Sequence, residues 1–414
     1  MIAGSIAHWG GPNHVSQKLV ELTVLVCHLH HHPVVVHQAK ATGGRGSGQS
    51  SMRARTAKGF QMSTDRKGDR VPLNHRPVHP PAWVRVLRAI GITAIWIVLA
   101  LLVLWATAAL YIDFRIASLR VPLTVIYILA IIAILIKFKM SRWSVILCLA
   151  SFVCVLLWWL TLKPSNSGSW QPDADRTAWT EIDGDRITIH NLRNCDYRTE
   201  TEYSNCWSDR TLDLSQLRAV DFFLTNWGLS FASHPIVSFQ FGDNTHIAFS
   251  IEARYRPGQS YSTILGTFRQ FGLIFVVADE RDLIRLRTNY RKDEEVYMYR
   301  INADPKVTRA IFYTYVDYLN KLHKNPEWYN EVTRNCTTTL DRQLTAVTAN
   351  PQPWSYQYLI NGSIDHLLYN RGRLVTGGLP FAELKQRAHI NEVAHTANQS
   401  PDFSALIRAG RVGY

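Results

Sequence analysis

The sequence predicts an α+β soluble domain, in which helices pack against an antiparallel sheet, preceded by three transmembrane helices. Three successive apolar stretches predict the membrane helices: Ala89–Ile112, Val121–Ile136 and Trp143–Leu162. Strand-like segments dominate the chain after them, and two of these, Pro235–Phe241 and Thr245–Arg254, flank a Gly-Asp-Asn turn. After Asp304 the apolar spacing becomes that of an amphipathic helix, with one face formed by Val307, Ile311, Phe312, Tyr315, Leu319 and Leu322.

The lengths of the apolar stretches fit a bilayer. The first and third have 24 and 20 residues, enough to cross a hydrocarbon core of about 30 Å at about 1.5 Å per residue. The middle stretch has 16 residues. Its apolar flanks lengthen it, while Arg120 and Lys137 extend outward to the interface.

The charges beside these stretches predict their orientation. The loop Lys137–Arg142 carries three basic residues and no acid, whereas the loop Asp113–Arg120 carries two basic residues and one acid. Loops rich in Lys and Arg stay in the cytoplasm, so we expect a cytoplasmic N-terminus and a domain outside after Leu162. In a bacterium this describes a multi-pass inner-membrane protein with a periplasmic C-terminal domain.

Composition divides the chain into four parts. Residues 1–80 show no sustained periodicity and are predicted to be a disordered basic tail, or an over-extended start with Met52 or Met62 as the true first residue. The other parts are a transmembrane region (81–162), a linker rich in Pro, Ser, Gly and Asp (163–176) and the periplasmic domain (177–414).

The net charge of +13 does not indicate nucleic-acid binding. Residues 1–80 contribute +7 and residues 81–162 contribute +6, so the rest of the chain balances 28 basic against 28 acidic residues. A neutral domain offers no electrostatic surface for a phosphate backbone. We expect no cofactor and no metal, because the soluble domain lacks Cys-X-X-Cys and His-X-X-X-His spacing.

Three cysteines fall in the compartment that is predicted to be oxidising. Cys195 and Cys206 bracket ten polar residues and are predicted to form a disulfide, which leaves Cys336 unpaired. The segment Cys336–Val347 is predicted to be a helix with Asn335 as its N-cap. The first turn of a helix favours a thiolate and offers backbone N–H groups to an oxyanion. Cys336 is therefore the candidate nucleophile.

A nucleophilic cysteine needs a base, and the predicted hairpin supplies two candidates, His234 and His246. The turn of the hairpin decides what orients His234. A three-residue loop places Glu252 opposite His234, whereas a two-residue loop places Ala253 there. Glu252 is favoured over His246 for this role, because a carboxylate holds the imidazole in one tautomer and stabilises the imidazolium.

Several segments resemble the bacterial family of Lnb N-terminal periplasmic domains, over roughly Arg186–Arg408. They include VDFFLTNWG (220–228), SHPIVSFQFGD (233–243), WYNEVTRNCTT (328–338) and HINEVAHTANQSPDFS (389–404). The family has a histidine at the position of His234 and an Asn-Cys-Thr motif that matches Asn335–Thr337.

The resemblance carries expectations about activity and fold. Named members of the family in gut anaerobes are implicated in adding the third acyl chain to lipoprotein N-termini. A histidine followed later by an Asn-Cys that opens a helix is also similar to permuted papain-like acyltransferases of the lecithin:retinol type, which implies a permuted papain-like fold. In this chain the membrane helices precede the domain, whereas in the named members they follow it.

Together these features predict a membrane-anchored periplasmic cysteine acyltransferase. Cys336 would attack a phospholipid ester and pass the acyl group to an amine while His234 moves the proton. The expected partners are membrane lipids, with lipoproteins or peptidoglycan as further substrates. One alternative is a papain-like cysteine hydrolase of the cell envelope that acts on a peptidoglycan peptide or a lipid ester. The other is a non-catalytic envelope protein, in which Cys336 is structural and Glu252 pairs with Arg254 or Arg256.

Overall fold

Three long apolar helices open the computed structural model, which describes residues 81–204, 207–228, 231–347, 353, 355–358 and 360–414. They are α1 (Ala82–Asp113), α2 (Ala117–Phe138) and α3 (Arg142–Thr161). Their mean hydropathies of 2.5, 2.6 and 2.3 and their lengths are sufficient to cross a membrane. The three predicted apolar helices are therefore confirmed, while the predicted tail at 1–80 lies outside the described residues.

The C-terminal ends of α1 and α3 contact the same segment of the soluble domain. The Gln270 amide donates to the Asp113 carboxylate at 2.6 Å and to the Ile112 carbonyl at 3.0 Å. The Arg269 guanidinium donates to the carbonyls of Leu160 and Leu162. Both helices therefore end on the side of the domain, and the basic loop between α2 and α3 lies at their opposite end.

Eight strands form the sheet: β1 (Trp179–Asp183), β2 (Arg186–Arg193), β3 (Trp207–Asp213), β4 (Leu217–Asn226), β5 (Ser233–Phe241), β6 (Thr245–Arg254), β7 (Gly272–Asp279) and β8 (Glu295–Arg300). Their order is β1-β2-β7-β6-β5-β4-β8, with β3 paired to β2. The pairs are antiparallel except for one parallel bridge between β2 and β7, at Arg193 and Ala278. The α+β prediction is confirmed, with a sheet that is mixed at this one junction.

The hairpin of β5 and β6 has the three-residue turn. Phe241 pairs with Thr245, so Gly242, Asp243 and Asn244 form the loop. Gly242 has a φ of 59°, a left-handed conformation that glycine adopts without steric cost. The register Ile236↔Ser250, continued by two residues, places Glu252 opposite His234.

The site lies at the end of the sheet next to the apolar helices. Strand β7 begins at Gly272, two residues after Gln270 contacts α1. Because β6 is antiparallel to β7, and β5 to β6, β6 ends and β5 begins at this same end. His234 is the second residue of β5, and Glu252 pairs with Ile274 near the start of β7.

The remaining helices are α4 (Thr263–Gly266), α5 (Glu280–Arg285), α6 (Pro305–Lys324), α7 (Cys336–Ala346), α8 (Ile364–Asn370), α9 (Phe381–Ala388), α10 (Asn391–Thr396) and α11 (Phe403–Leu406). Helix α6 is the predicted amphipathic helix, and Asp304 caps it by accepting from the Val307 amide. Its Phe312 packs edge-on against Phe239 with ring centroids 5.0 Å apart. Burial of each such side chain contributes about 1.5–3 kcal/mol.

The two faces of the sheet carry separate apolar clusters. Phe239 belongs to the cluster under α6, while Ile236 and Ala248 pack with Phe403 and Ile407 of the C-terminal region on the other face. Cys195 is disulfide-bonded, and its predicted partner Cys206 lies outside the described residues.

A buried ion cluster attaches the C-terminal region to the second face. The Arg408 guanidinium contacts the carboxylates of Asp221 at 2.7 Å and Glu280 at 2.6 Å. The hydroxyls of Tyr414 and Ser238 donate to the same two carboxylates. Both acids are fully buried, so their charges need compensation. Arg408 compensates both, and Arg300 contacts Asp221 as well, at 3.0 Å.

Replacing Arg408 by Ala tests this dependence. The substitution leaves buried Glu280 without its arginine and Asp221 with Arg300 alone, so we expect the free energy of unfolding to fall by about 3–5 kcal/mol. The measurement is a urea titration of the full-length protein in detergent micelles. Arg198→Ala is the matched control, because its ion pair with Glu202 is largely exposed and should contribute less than about 1 kcal/mol. Equal losses in the two variants would contradict the interpretation.

Candidate active site

Cys336 is the first residue of α7, as the sequence predicts. The Asn335 side chain accepts from the Thr338 amide at 2.9 Å, and the Thr338 hydroxyl accepts from the Asn335 amide at 3.0 Å. This capping box holds the start of the helix. The amide of Thr339 bonds the Asn335 carbonyl, so capping leaves the amides of Cys336 and Thr337 open toward the helix N-terminus.

The imidazole of His234 lies beside the thiol of Cys336, close enough for the two side chains to interact. Both residues are buried, at 6 and 8 % exposure. Nε2 of the imidazole lies 2.7 Å from the Ser250 hydroxyl and 3.2 Å from a Glu252 oxygen. The other ring nitrogen, Nδ1, therefore remains for the sulfur.

Electrostatics favour the charged form of His234. Burial is the largest single effect and works against the imidazolium, but Glu252 and Cys336 together outweigh burial and the opposing charge of Arg287. The result is that the pKa of His234 rises to about 9. The same contacts act on the acid: burial alone would raise its pKa, yet His234 and Arg287 hold the pKa of Glu252 well below its usual range. An imidazolium beside a carboxylate is the stable state at neutral pH.

Glu252 lies in the position that the three-residue turn gives it, next to His234 and not next to Arg254. Its Oε1 accepts from Ser250 at 2.6 Å, so the serine hydroxyl bridges the carboxylate and the imidazole. The Arg254 guanidinium donates to the carbonyls of Ala174 and Asp175 instead. The expected alternative of a Glu252–Arg254 salt bridge is therefore wrong.

His246, the other candidate from the hairpin, is not brought to the thiol. It pairs with Gln240, six residues along β5 from His234, a separation of about 20 Å at 3.3 Å per residue. It lies near Glu280 and Arg408, and burial followed by the charge of Arg408 lowers its pKa. Its surroundings are those of the buried ion cluster.

Arg287 was not predicted from the sequence. It is buried at 2 % exposure, and it contacts Glu252 at 2.7 Å and Glu294 at 3.3 Å. Glu294 also accepts from the Trp227 indole at 3.0 Å. A doubly paired guanidinium holds the Glu252 carboxylate in place beside His234. The basic segment Arg285–Arg291 contained this residue but gave no indication of which arginine turns inward.

Asn361 was also missed, and it connects the strand of the histidine to the helix of the cysteine. Its side-chain amide donates to the Thr337 hydroxyl at 2.5 Å and to the Ser233 carbonyl at 2.7 Å, while its oxygen accepts from the Ser233 amide. Ser233 precedes His234, and Thr337 follows Cys336. Asn361 thereby fixes the spacing of the thiol and the imidazole, although the two lie about 100 residues apart in sequence.

The arrangement has the parts that a cysteine nucleophile needs. A base lies beside the thiol, a carboxylate orients that base, and a helix N-terminus offers amides to a developing oxyanion. Within the described ranges, no group of three or more His, Cys, Asp or Glu residues is placed to hold a metal ion.

An α+β domain that carries a candidate thiol site and follows three apolar helices defines the chain as a membrane-anchored protein. Residues 203–362 match the model of the Lnb N-terminal periplasmic domain, which supports the resemblance to that family. The match includes His234, Glu252 and Cys336, but it is shorter than the range of the resemblance and does not reach the segment 389–404. No curated protein and no solved structure matches the chain.

Replacing Glu252 by Gln tests the electrostatic role of the carboxylate. Without its charge, burial and Arg287 act on His234 unopposed, so we expect the pKa of His234 to fall from about 9 to below about 6.5. Wild-type His234 gives a favourable contribution to stability that is complete below about pH 6.5 and is lost as pH rises through about 9. The stability of the Glu252→Gln variant should not decrease in this way as pH rises through about 9. Histidine-labelled NMR follows the titration, with the resonance assigned through His234→Gln.

Glu294→Gln is the matched control. It removes a carboxylate from the far side of Arg287 without contacting His234, so the pKa of His234 should stay near 9. A titration of His234 that is the same in Glu252→Gln as in the wild type would show that the carboxylate does not set its charge.

Proposed function

We propose that this protein is a membrane-anchored periplasmic thiol acyltransferase that acts through a thioester on Cys336. The single observation that carries the proposal is the contact of Cys336 with His234 at a capped helix N-terminus, with Glu252 behind the imidazole. A structural cysteine needs no imidazole beside it, and a histidine that is only hydrogen-bonded needs no carboxylate paired with it.

The reaction proceeds in two halves. With His234 as the imidazolium that holds the proton of the thiol, the sulfur of Cys336 attacks the carbonyl carbon of a phospholipid ester, and the amides of Cys336 and Thr337 bind the oxyanion. The carbon–oxygen bond of the ester then breaks, and His234 gives its proton to the departing alkoxide. The products of this half are a lysophospholipid and a thioester on Cys336.

The second half returns the enzyme to its starting state. Neutral His234 takes a proton from an attacking amine, the new amide bond forms, and the thiolate leaves. Glu252 and Ser250 hold the imidazole in one orientation throughout, and Glu252 stabilises the imidazolium each time it forms. The acceptor amine that fits the family resemblance is the N-terminus of a lipoprotein.

The anchoring helices favour lipid as the acyl donor, because they hold the site beside a bilayer. The charges around them support an inner-membrane, multi-pass topology with a cytoplasmic N-terminus: the basic loop 137–142 lies opposite the domain, which is where the positive-inside rule expects it. The order of His234 before Cys336 along the chain fits a permuted papain-like arrangement.

A trapped acyl group on Cys336 tests the proposal. Full-length protein reconstituted with phospholipid vesicles should gain the mass of one fatty acyl group on the peptide that contains Cys336. Cys336→Ala should lose the adduct, and His234→Gln should form it about 10²–10⁴ times more slowly. Cys154→Ala is the control, since this free thiol lies in the third apolar helix. An adduct that persists in Cys336→Ala would refute the proposal.

Mass spectrometry of a deletion strain distinguishes transfer from hydrolysis. Loss of one acyl chain from lipoproteins identifies the transferase. Altered muropeptides or lipids with unchanged lipoproteins identify a cysteine hydrolase that uses the same residues with water as the acceptor. Full complementation of the deletion by Cys336→Ser would leave a non-catalytic envelope protein.

A further inference from the structure

One loop of the soluble domain inserts among the apolar helices. Phe268 is 6 % exposed, stacks on Trp105 with centroids 6.2 Å apart, and packs in one cluster with Ala106, Ala109 and Val155. Trp105 precedes the end of α1 by eight residues, which is about 12 Å along the helix axis. Phe268 therefore packs against the apolar part of α1, while the next residue, Arg269, donates its amide to Asp113 at the end of that helix. We take the end of α1 as the level of the membrane boundary.

The helix that carries the nucleophile is attached to this loop. The Glu331 amide donates to the Gly266 carbonyl at 3.0 Å, and the Asn330 side chain donates to the Thr267 carbonyl at 3.1 Å. Asn335, the cap of α7, donates to the Glu331 carbonyl at 2.6 Å. Three hydrogen bonds thus connect the inserted loop to the residue before Cys336.

The distance from the membrane boundary to the candidate site is small. Glu252 pairs with Ile274, four residues after Gln270, which is at most about 13 Å at 3.3 Å per residue. The polar layer of a bilayer is about 5–8 Å thick on each side. The site therefore lies directly above the headgroups.

One segment of the surface between the site and the boundary is uncharged and partly apolar. Residues 258–268 contain no charged side chain. Tyr261, Ile264 and Val332 are 53, 57 and 54 % exposed, and Ile264 and Val332 adjoin the hydrogen bond that joins Gly266 to Glu331. The segment ends at Arg269, which stacks over Trp159 at 4.0 Å. Aromatic and basic residues around an apolar stretch are typical of a membrane interface.

We propose that Tyr261, Ile264 and Val332 form an interfacial surface that lies in the headgroup layer of the protein's own membrane, and that a diacyl lipid passes over this surface from the bilayer to Cys336. The occupant is the bilayer, because the surface is continuous with a loop already inserted among the membrane helices. The inference deepens the proposed function and rests on it for the use of the lipid.

Lipid access is tested with the double variant Ile264→Asp/Val332→Asp of the full-length protein in vesicles of phosphatidylethanolamine and phosphatidylglycerol. Two charges in the headgroup layer should slow thioester formation from vesicle lipid by roughly tenfold or more. Reaction with a water-soluble p-nitrophenyl ester should stay within about twofold, since that substrate does not cross the surface. Leu406→Asp, an exposed leucine of α11, is the control and should change neither rate. Unchanged thioester formation in the double variant, or an equal loss of both reactions, would overturn the proposal.

A spin label provides a test that does not need catalysis. A nitroxide at Ile264→Cys, in a background with Cys27, Cys148, Cys154 and Cys336 replaced by Ala, should be relaxed more by oxygen than by a water-soluble nickel chelate, and a label at Leu406→Cys should show the reverse. Equal access of the chelate at both positions would overturn the proposal, as would protection of position 264 from both reagents by a protein partner. A label at 264 in the bilayer, together with the absence of any thioester in the wild type, would refute the proposed function and leave the interfacial surface standing.

Discussion

The register of the β5–β6 hairpin is the constraint on which the candidate site depends. Side chains alternate between the two faces of a strand, so a shift by one residue would turn Glu252 to the opposite face and place Ala253 across from His234. The three-residue turn, with Gly242 in a left-handed conformation, prevents this shift. The antiparallel pairing then brings the carboxylate and the imidazole to one end of the sheet.

Two buried arginines, Arg408 and Arg287, pair with acids on the second face of the sheet, and their structural roles differ. Arg408 contacts Asp221 and Glu280 far from the thiol and attaches the C-terminal region. Arg287 lies between Glu252 and Glu294 and positions the acid that orients the base. Since a buried guanidinium needs carboxylate partners, each arginine also limits where its acids can move. The ion pair between Arg287 and Glu252 therefore also restricts the position of His234, which contacts Glu252.

The contacts between the domain and the apolar helices determine which end of the sheet lies next to those helices. Gln270 and Arg269 contact the ends of α1 and α3, and Phe268 packs among the same helices. Strand β7 begins directly afterwards, so the end of the sheet that carries His234 faces the ends of these apolar helices. The position of the candidate nucleophile in the fold therefore follows from the contact between the domain and the helices.

The sequence by itself determined the features that depend on local patterns: the three apolar helices, the two strands of the β5–β6 hairpin, the amphipathic α6, and the capped helix that begins at Cys336. It left two turn lengths open for the hairpin, because both are compatible with Gly-Asp-Asn, and it named His246 beside His234. Only the tertiary structure decided between the two turn lengths and between the two histidines. It alone revealed Arg287, Asn361 and the insertion of Phe268. Those residues act through contacts across long stretches of chain, and neither spacing nor composition records which distant side chains the packed sheet brings within hydrogen-bonding distance.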